Sequence, residues 1–332
     1  MKFGIIGYQH FHIDAFINMM CQEGHIFAGV FDEDIGAAKK CAEKYNVPVL
    51  NNKSCFLQEK VDIIGIGDIP AKRIDVLKWC EDNSIHAVSD KALVINERGL
   101  EILRGIVKRN KIKFSMILDF RYHPLSQKLK EEIDNKTFGE LCSLDFMVPH
   151  KLRQETRPAW FWKPELAGTI ITDLMIHSLD LFAWFTSSTV TDFTVASARK
   201  LKNTPEQFMD YASASLISAN NVHGNIYVDW LTPDNYYTWS DARIFCRGTE
   251  GFAEIRLTGD GTHAPPALII CSTQKPATEI TTKNPNAVTL AQDITSQIAG
   301  KAKPFLSASD ILDASELTIK LNEKHNNGEK WN

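Results

Sequence analysis

The sequence predicts an α/β protein in which an N-terminal doubly wound parallel sheet is followed by a C-terminal α+β domain with a large, mainly antiparallel open sheet. Two observations lead to this prediction. In the first 120 residues, short apolar runs alternate with longer amphipathic runs, a pattern typical of parallel strands joined by crossover helices. After Arg121, strand-like runs follow one another without helices between them, which indicates antiparallel pairing. We therefore place one domain at residues 1–120 and a second domain at residues 121–332.

The N-terminal domain is predicted to contain five strands and four helices. The strands are expected at 2–7, 25–31, 61–66, 85–88 and 113–118, and the helices at 12–22, 34–45, 71–83 and 96–109. Open α/β sheets bind ligands at the carboxyl ends of their strands, so residues that follow these strands are candidates for a binding site.

The C-terminal domain is predicted to have a different order of helices and strands. A helix over 124–134 is followed by an aromatic loop and by one long apolar helix that begins near residue 170. Residues 286–324 return to helix, with Ser309 or Asp310 as the N-cap. The strand-like runs lie at about 191–199, 210–219, 223–231, 242–247, 252–257 and 267–271.

The composition is that of an ordinary globular chain and excludes several classes of protein. Of the 332 residues, 44% are hydrophobic and 23% are charged, and 37 basic against 41 acidic side chains leave a net charge of −4. Because no Lys/Arg-rich run is present, we expect small-molecule partners rather than nucleic acid. Seven cysteines without a CxxC pair indicate reduced thiols rather than a zinc ribbon or a disulfide framework.

Neither a membrane span nor a secretion signal is expected. The longest apolar stretch, 170–185, is interrupted by Asp173, His177 and Asp180. The chain opens directly with the strand-like residues 3–7, which leaves no room for a signal peptide. We therefore expect a cytoplasmic protein without membrane contact.

The turn after the first predicted strand is a candidate dinucleotide-binding loop of a Rossmann domain. In such loops, glycines let the backbone approach a pyrophosphate at a helix N-terminus. Gly7 is present, but Gln9 and His12 stand where the second and third glycines of a GxGxxG motif would be. Asp32 ends the second strand, where a carboxylate would accept hydrogen bonds from the adenosine ribose and favour NAD over NADP. The alternative is a strand-to-helix turn without a ligand, in which Asp32 caps a helix.

The same loop also allows a second interpretation. His10 and His12 after a strand resemble the start of a metal-dependent amidohydrolase barrel, in which Lys91 would be the bridging lysine. Such a barrel needs repeated βα units to gather its ligands, whereas the later half of this chain is predicted to be antiparallel. We therefore expect no metal site, and polar loop positions are the alternative for both histidines.

A buried helix with a polar stripe is the most informative segment of the second domain. At about 100° per residue, Asp173, His177, Asp180 and Trp184 fall within about 60° of one another, and the other directions are almost entirely apolar. Buried charges must be paired or must line a cavity, so the stripe is expected to face a pocket. Asp173 can hold the His177 imidazole in one tautomer, which would make it a proton acceptor near neutral pH. The alternative is a helix cap at Asp173 and a core histidine at His177.

Two further segments are candidates for contact with a substrate. Residues 157–164 place Trp160, Phe161 and Trp162 in a row, and flat aromatic faces suit the C–H faces of a sugar or cyclitol. Lys91 follows the predicted strand 85–88 and could donate to a substrate oxygen. Packing of the rings in the core, and a solvated ion pair of Lys91 with Asp90, are the alternatives.

These motifs together resemble the Gfo/Idh/MocA oxidoreductase family, whose members include glucose-fructose oxidoreductase and inositol dehydrogenases. The resemblance covers essentially the whole chain. Its most specific parts are the Asp-x-x-x-His helix and a Gly-Thr-Glu-Gly turn. The motifs are Gly4-Ile5-Ile6-Gly7, Asp62-Ile63-Ile64, Ser89-Asp90-Lys91-Ala92, Phe120-Arg121-Tyr122-His123-Pro124, Ala167-Gly168-Thr169-Ile170-Ile171-Thr172-Asp173 with His177, and Arg247-Gly248-Thr249-Glu250-Gly251.

The resemblance implies an NAD(P)-dependent oxidoreductase that acts on a secondary alcohol or ketone of a sugar, cyclitol or related polyol. Lys91, Asp173 and His177 would be catalytic, with His177 taking the proton of a substrate hydroxyl, and the cofactor would be NAD, with NADP as an alternative. Tyr122, Trp160 and Trp162 would form the substrate wall. A homodimer or homotetramer would form through the C-terminal sheet. The implied cofactor contacts are Gly7, Gln9, His10, Phe11, Asp32, Asp68, Ile69 and Asp90.

Several residues depart from the family pattern. Gln9 replaces the second glycine of the loop, Asp90 and Ala92 replace the Glu and Pro of the family's Glu-Lys-Pro motif, and Thr169 and Met175 replace frequent glycines. The side chain of Gln9 would lie close to the expected pyrophosphate. Two other functions therefore stay open: a non-catalytic sugar or nucleotide sensor of the same fold, and an NAD-dependent glycosidase.

Overall fold

The computed structural model of the protein describes residues 1–259, 263–281 and 287–326. Its contacts divide the chain into two compact units. The first unit comprises Met1–Ile117, Glu165–Gly168 and Val288–Glu316. The second unit comprises Leu118–Pro164, Thr169–Ala287 and the residues from Leu317 onward.

The first unit contains a five-stranded, fully parallel sheet in the order β2-β1-β3-β4-β5. The predicted doubly wound sheet is therefore confirmed, and the short helix α3 is an addition that the sequence pattern did not indicate. The strands are β1 Lys2–Ile6, β2 Ile26–Phe31, β3 Ile63–Ile66, β4 His86–Ser89 and β5 Phe114–Met116. The helices between them are α1 Ile13–Gln22, α2 Ile35–Tyr45, α3 Cys55–Gln58, α4 Pro70–Asp82 and α5 Glu97–Arg109.

Aromatic and aliphatic side chains between the sheet and its helices form the core of this unit. The ring of Phe3 stacks on Phe27 at 4.8 Å and meets the edge of Phe16 at 5.8 Å. All four residues of β3 are buried, as expected for a central parallel strand covered on both faces.

A late segment of the chain completes the first unit. Helix α10, Leu290–Ile298, packs against α1 and β5, and a capping box between Thr289 and Gln292 begins it. The predicted division at residue 120 assigned all later residues to the second domain, whereas 288–316 pack with the first unit. Helical periodicity does not indicate which sheet a helix covers, so this return to the first unit has no signal in the sequence. Asn286, the first residue of the predicted helical stretch, lies outside the described residues.

The second unit contains an eight-stranded sheet in the order β13-β12-β11-β10-β6-β9-β8-β7. All neighbouring strands pair antiparallel except β6 and β9, which pair parallel, so the predicted mainly antiparallel sheet is confirmed. The strands are β6 Leu141–Pro149, β7 Val190–Ala198, β8 Tyr211–Ser218, β9 His223–Asp229, β10 Arg243–Gly248, β11 Gly251–Arg256, β12 Ala267–Ser272 and β13 Lys275–Thr281.

Two of these strands are absent from the predicted set. β6 lies in the predicted connection after the helix at 124–134, although Leu144, Phe146 and Val148 alternate with more exposed residues. β13 is exposed at nearly every position, so it carries no apolar alternation that could reveal it.

Helices lie against the apolar face of this sheet. They are α7 Pro124–Asp134 and α9 Ile176–Thr186, which follows a π-helical turn at Ile171–Met175, and the short helix α6 Asp119–Tyr122 packs against both of them. The core includes Phe146, Phe182, Phe185, Ile226 and Ile244. Two further helices are α8 Pro164–Ala167 and α11 Ala308–Asn326.

One segment in the described part of the chain is long and apolar enough to cross a membrane by length and composition. It is Pro164–Thr186, and 72% of its most apolar window is buried inside the structure. That burial is typical of a core helix.

Candidate functional site

The loop after β1 is held at the carboxyl edge of the parallel sheet by main-chain hydrogen bonds. Gly7 N–H donates to the carbonyl of Phe31 at 2.8 Å, and Gln9 N–H donates to the carbonyl of Gly67 at 2.9 Å. Gly7 has φ +79°, and a Cβ there would lie 2.4 Å from the Asp68 backbone. Only glycine allows this conformation and this close approach, so the loop lies directly against the residues that follow β3.

Asp32 lies at the end of β2 with its carboxylate turned toward this loop. Its Oδ2 accepts a hydrogen bond from Tyr8 N–H at 2.6 Å, and its Oδ1 accepts one from Asp34 N–H at 2.8 Å. The Nε2 of Gln9 lies 3.1 Å from Oδ1 and 3.0 Å from Oδ2. The amide of Gln9 thus covers both oxygens of the carboxylate that the sequence predicts for ribose binding.

Asp90, immediately after β4, is the centre of a buried charged cluster. Its side chain is fully buried, and its oxygens lie 2.8 Å from Nδ1 of His10, 3.2 Å from Nδ1 of His12 and 3.1 Å from Nη2 of Arg73. Burial raises the pKa of Asp90, but the Arg73 guanidinium and the two imidazoles outweigh it and hold the pKa well below the usual range. The carboxylate is therefore ionised, and both imidazoles donate their Nδ1–H to it.

The first of these imidazoles is neutral at physiological pH. Burial lowers the pKa of His10 to about 4, with a further lowering by His12 that the attraction of Asp90 does not offset. Phe11, between the two histidines, is 52% exposed and packs on both rings, at 4.7 and 4.6 Å. The cluster therefore holds the start of α1 in a fixed arrangement.

Arg73 ties the turn after β4 to the turn after β3. Its Nε donates to the Asp68 carbonyl at 2.8 Å, and its Nη1 donates to the carbonyls of Lys91 and Ala92. Lys91 is buried, with 4% of its surface exposed. The main-chain position of Lys91 is thus fixed from α4, since Arg73 belongs to that helix. Ile69 precedes α4, and its N–H is bonded to Oδ1 of Asp68.

Three of these side chains could in principle hold a cation. One ligand atom each of His10, His12 and Asp90 lies within 4.8 Å of the others. Arg73 already compensates the charge of Asp90, however, so the cluster is an internally balanced ion-pair network and we assign no metal to it. The amidohydrolase barrel is wrong as a fold, because the second unit is an open eight-stranded sheet.

His177 lies at the start of α9 in the second unit and is 4% exposed. Its Nδ1 is 3.3 Å from Oδ1 of Asp119, and its ring lies 4.9 Å from Phe120. Both partners belong to α6, which packs against α9. An imidazole beside a carboxylate has the character of a proton acceptor.

The rest of the polar stripe on α9 also contacts α6. Asp180 forms a buried ion pair with Arg121 at 2.7 Å, and the Arg121 guanidinium lies 5.1 Å from the Trp184 ring. The stripe therefore meets a partner helix at these two positions, where the sequence had indicated a pocket. Asp173 lies within the π-helical turn and is half-buried, so the spacing assumed for a regular α-helix does not apply between it and His177.

The predicted substrate-wall residues have different surroundings. Tyr122 is half-buried in α6 and accepts a hydrogen bond from Gln127 on its carbonyl. Trp160 packs on Phe161, which belongs to the core. Trp162 lines an open groove of about 760 Å³ formed with Gln154, Glu155, Lys202, Asn203, Thr204 and Pro205.

Part of the second unit matches a known family of domains. Residues 126–254 match the family model described as the GFO/IDH/MocA C-terminal domain. This segment belongs to the GFO/IDH/MocA C-terminal domain family. The resemblance stated from the sequence motifs is therefore confirmed, and the GFO/IDH/MocA domain includes the whole of β6 to β10 and α9.

Solved structures share the fold of both units. A putative oxidoreductase from Erwinia carotovora atroseptica SCRI1043 is 25% identical, with 98% of each chain covered and a TM-score of 0.89. The UDP-N-acetylglucosamine 3-dehydrogenase from Acidithiobacillus ferrooxidans is 18% identical, with 98% of this chain and 97% of that chain covered and a TM-score of 0.76. A levoglucosan dehydrogenase in complex with NADH and levoglucosan is 12% identical, with 98% and 96% covered and a TM-score of 0.82. No curated protein sequence gives a significant match.

The structure brings the predicted cofactor residues together at one edge of the first sheet. The loop after β1, Asp32 after β2, Asp68 and Ile69 after β3, and Asp90 after β4 all lie at the carboxyl ends of neighbouring parallel strands. Lys91 belongs to the same unit, whereas Asp173 and His177 belong to the GFO/IDH/MocA domain. Their catalytic roles stay predictions.

Sequence reasoning missed several residues of these clusters. Arg73 and Asp119 contact their partners from 17 and 58 residues away in the chain, and no local spacing indicates such pairs. Arg121 belongs to one of the motifs of the resemblance, and the need of a buried Asp180 for a cation is the signal that points to such a partner. Tyr8 contacts Asp32 through its main-chain N–H, and a main-chain donor has no signal in the sequence.

Proposed function

We propose that the protein is an NAD-dependent oxidoreductase that transfers hydride between the nicotinamide and a secondary alcohol or ketone of a sugar, cyclitol or related polyol. The observation that carries the proposal is the carboxylate of Asp32, 7% exposed at the end of β2 and next to the Gly7 turn. A carboxylate in this place accepts hydrogen bonds from ribose hydroxyls and repels a 2′-phosphate, which favours NAD.

The residues at the sheet edge fit a dinucleotide in most respects. The tight turn at Gly7 allows close approach of the backbone, and α1 begins directly after the loop at Ile13. Asp68, Ile69 and Asp90 lie on the neighbouring strand ends. Gln9 is the exception, because its amide lies on Asp32 and must share or leave that carboxylate when a ribose binds. NAD, when bound, supplies the hydride acceptor.

The proton chemistry is assigned to residues of this chain. His177 accepts the proton of the substrate hydroxyl, Lys91 donates a hydrogen bond to the reacting oxygen, and Asp173 binds a neighbouring hydroxyl or orients the imidazole. Asp119, 3.3 Å from His177 Nδ1, is an additional positioning residue. Its carboxylate favours the tautomer in which Nδ1 carries the hydrogen and Nε2 is the base.

The resemblance and the neighbours support the proposed substrate class. The levoglucosan dehydrogenase and the UDP-N-acetylglucosamine 3-dehydrogenase act on sugars according to their names, and Tyr122, Trp160 and Trp162 are proposed to contact the substrate here. We also propose a cytoplasmic protein that forms a homodimer or homotetramer through the eight-stranded sheet.

Direct titration tests the cofactor assignment. The purified protein is titrated with NADH and with NADPH, and binding is followed by nicotinamide fluorescence. We expect saturable binding of NADH that is tighter than that of NADPH, and loss of this preference in Asp32→Asn. Asp34→Asn is the matched control, since Asp34 caps α2 two residues away. Binding of neither nucleotide at millimolar concentration, or an unchanged preference in Asp32→Asn, would disprove the assignment.

One observation favours a second candidate function, a binding protein of the same fold without turnover. Gln9 covers both oxygens of Asp32, which would weaken dinucleotide binding. A polyol screen with NAD separates the two functions. Turnover that disappears in His177→Ala excludes the binding protein, whereas binding of a polyol without turnover in the wild type supports it.

A further inference from the structure

The loop that follows β6 contains three basic side chains within seven residues. Lys151 is 3% exposed, and its Nζ donates to the carbonyls of Asp234, at 2.9 Å, and Tyr236. Arg157 donates from Nε to the carbonyl of Leu152 at 2.7 Å. These main-chain contacts satisfy donors but supply no full negative charge, so the positive charges of the loop are not neutralised by them.

Aromatic rings surround the second and third of these cations. The guanidinium carbon of Arg157 lies 4.2 Å from the ring centre of Phe161, 4.8 Å from Trp230 and 5.4 Å from Trp239. The guanidinium carbon of Arg153 lies 5.0 Å from the Trp239 ring. Rings exclude water from a guanidinium, and an ion partly removed from water interacts more strongly with an opposite charge.

The loop contains three cations and one carboxylate, Glu155, whose side chain is exposed. In the part of the chain that the structure describes, no carboxylate forms an ion pair with Lys151, Arg153 or Arg157. Burial lowers the pKa of Arg157 to about 10, the charge of Asp173 opposes this change, and the charge of Arg153 adds to it. Asp173 is thus a carboxylate whose charge acts on Arg157.

A buried donor lies in the same loop. The Nε1 of Trp160 is buried and has no hydrogen-bond acceptor among the described residues. Nη1 of Arg157 likewise has no acceptor within the described ranges. A wall that offers several N–H donors and an excess of positive charge, with few acceptors, has the chemistry that binds an oxyanion.

We propose that Lys151, Arg153, Arg157 and Trp160 form an anion-binding wall, and that the substrate is a sugar or polyol bearing a carboxylate or phosphate group. This inference rests on the proposed function and narrows its substrate class. Asp173, to which the family resemblance gives a catalytic role, acts electrostatically on Arg157. We assign the anionic group and the reacting hydroxyl to the same substrate molecule, because the wall and Asp173 belong to the same unit.

Calorimetric titration with matched ligands tests the proposal. On three scaffolds, the neutral compound is compared with its carboxylate and its phosphate: glucose with glucuronate and glucose 6-phosphate, galactose with galacturonate and galactose 6-phosphate, and glucitol with gluconate and glucitol 6-phosphate. We expect an anionic member of at least one scaffold to bind about tenfold or more tightly than its neutral partner. Which anion binds decides between carboxylate and phosphate.

Substitutions attribute the discrimination to the wall. Arg157→Gln should abolish the preference for the anion, and Arg153→Gln should reduce it. The matched control is Arg98→Gln, an exposed arginine of the first unit that pairs with Asp75 and should leave the preference unchanged. Should Arg157→Gln not fold, the exposed Arg153 still provides the test, together with the loss of the wild-type preference as salt concentration rises.

Two results would overturn the proposal. One is equal or absent binding of the anionic members on all three scaffolds, and the other is a preference that persists in Arg157→Gln. The titrations are run with and without NADH. If NADH does not bind, the proposal of a dehydrogenase is wrong. The preference for anions measured without NADH still tests the anion-binding wall.

Discussion

Removal of the Gln9 side chain should strengthen NADH binding. The amide of Gln9 donates to both oxygens of Asp32, at 3.1 and 3.0 Å, and so competes with the ribose hydroxyls for that carboxylate. A hydrogen bond to a charged group contributes about 1.5–3 kcal/mol. Because Tyr8 N–H keeps its own bond to Asp32, only the contribution of Gln9 changes, and we take the lower end of the range. A difference of about 1.4 kcal/mol is tenfold in affinity. Gln9→Ala should therefore lower the dissociation constant of NADH about tenfold.

Equilibrium fluorescence titration measures this change without any substrate. Gln9→Glu, which places a second carboxylate beside Asp32, should weaken NADH binding instead. Gln22→Ala is the control of the same residue type, since Gln22 is exposed at the end of α1. An unchanged or weaker affinity in Gln9→Ala would refute the reasoning, because it would mean that Gln9 supports the bound dinucleotide and does not compete with it.

Three further predictions concern the buried charges. Asp90→Asn should lower the free energy of unfolding by about 3–5 kcal/mol in urea titrations, because it leaves a buried guanidinium unpaired, whereas the exposed Asp75→Asn should cost less than about 1 kcal/mol. His10 has a folded-state pKa of about 4, below its unfolded value of 6.5, so it contributes stability that is complete above pH 6.5 and is lost as pH falls toward 4. Between pH 7 and pH 5, the free energy of unfolding measured by urea titration should therefore fall less in His10→Asn than in the wild type. Equal falls in the two proteins would contradict this. Asp180→Leu alone and Arg121→Met alone should each destabilise the second unit strongly, and the double variant should recover most of that loss in a double-mutant cycle. Additive losses would show that the pair is not coupled.

The sequence was sufficient to predict the alternating strands and helices of the first unit. Apolar alternation and helical periodicity located the five parallel strands and their long helices, because each such element buries one periodic face. β13 could not be found in this way, since its residues are almost all exposed. β6 has a regular alternation of buried and exposed residues but was not predicted. The aromatic loop at 157–164 dominated the interpretation of the connection in which β6 lies.

The candidate site was predictable only where a motif or a strand end marked it. Gly7, Asp32 and Asp90 follow consecutive strands, and parallel topology gathers such residues at one edge. The π-helical turn around Asp173 could not be foreseen, because a helix with one inserted residue has no distinct composition. The contact of His177 with Asp119 joins two helices, and tertiary packing alone creates it.

The position of α10 has a consequence for the order in which the protein can mature during synthesis. Leu290 and Ile294 are buried, at 2% and 0% exposure, in a helix that packs on α1 and β5, which lie far earlier in the chain. These residues are synthesised after all five strands of the parallel sheet and after all the described strands of the second unit. Until α10 is synthesised, the apolar surface of α1 and β5 that it covers stays exposed, so a chaperone would bind the growing chain at this surface.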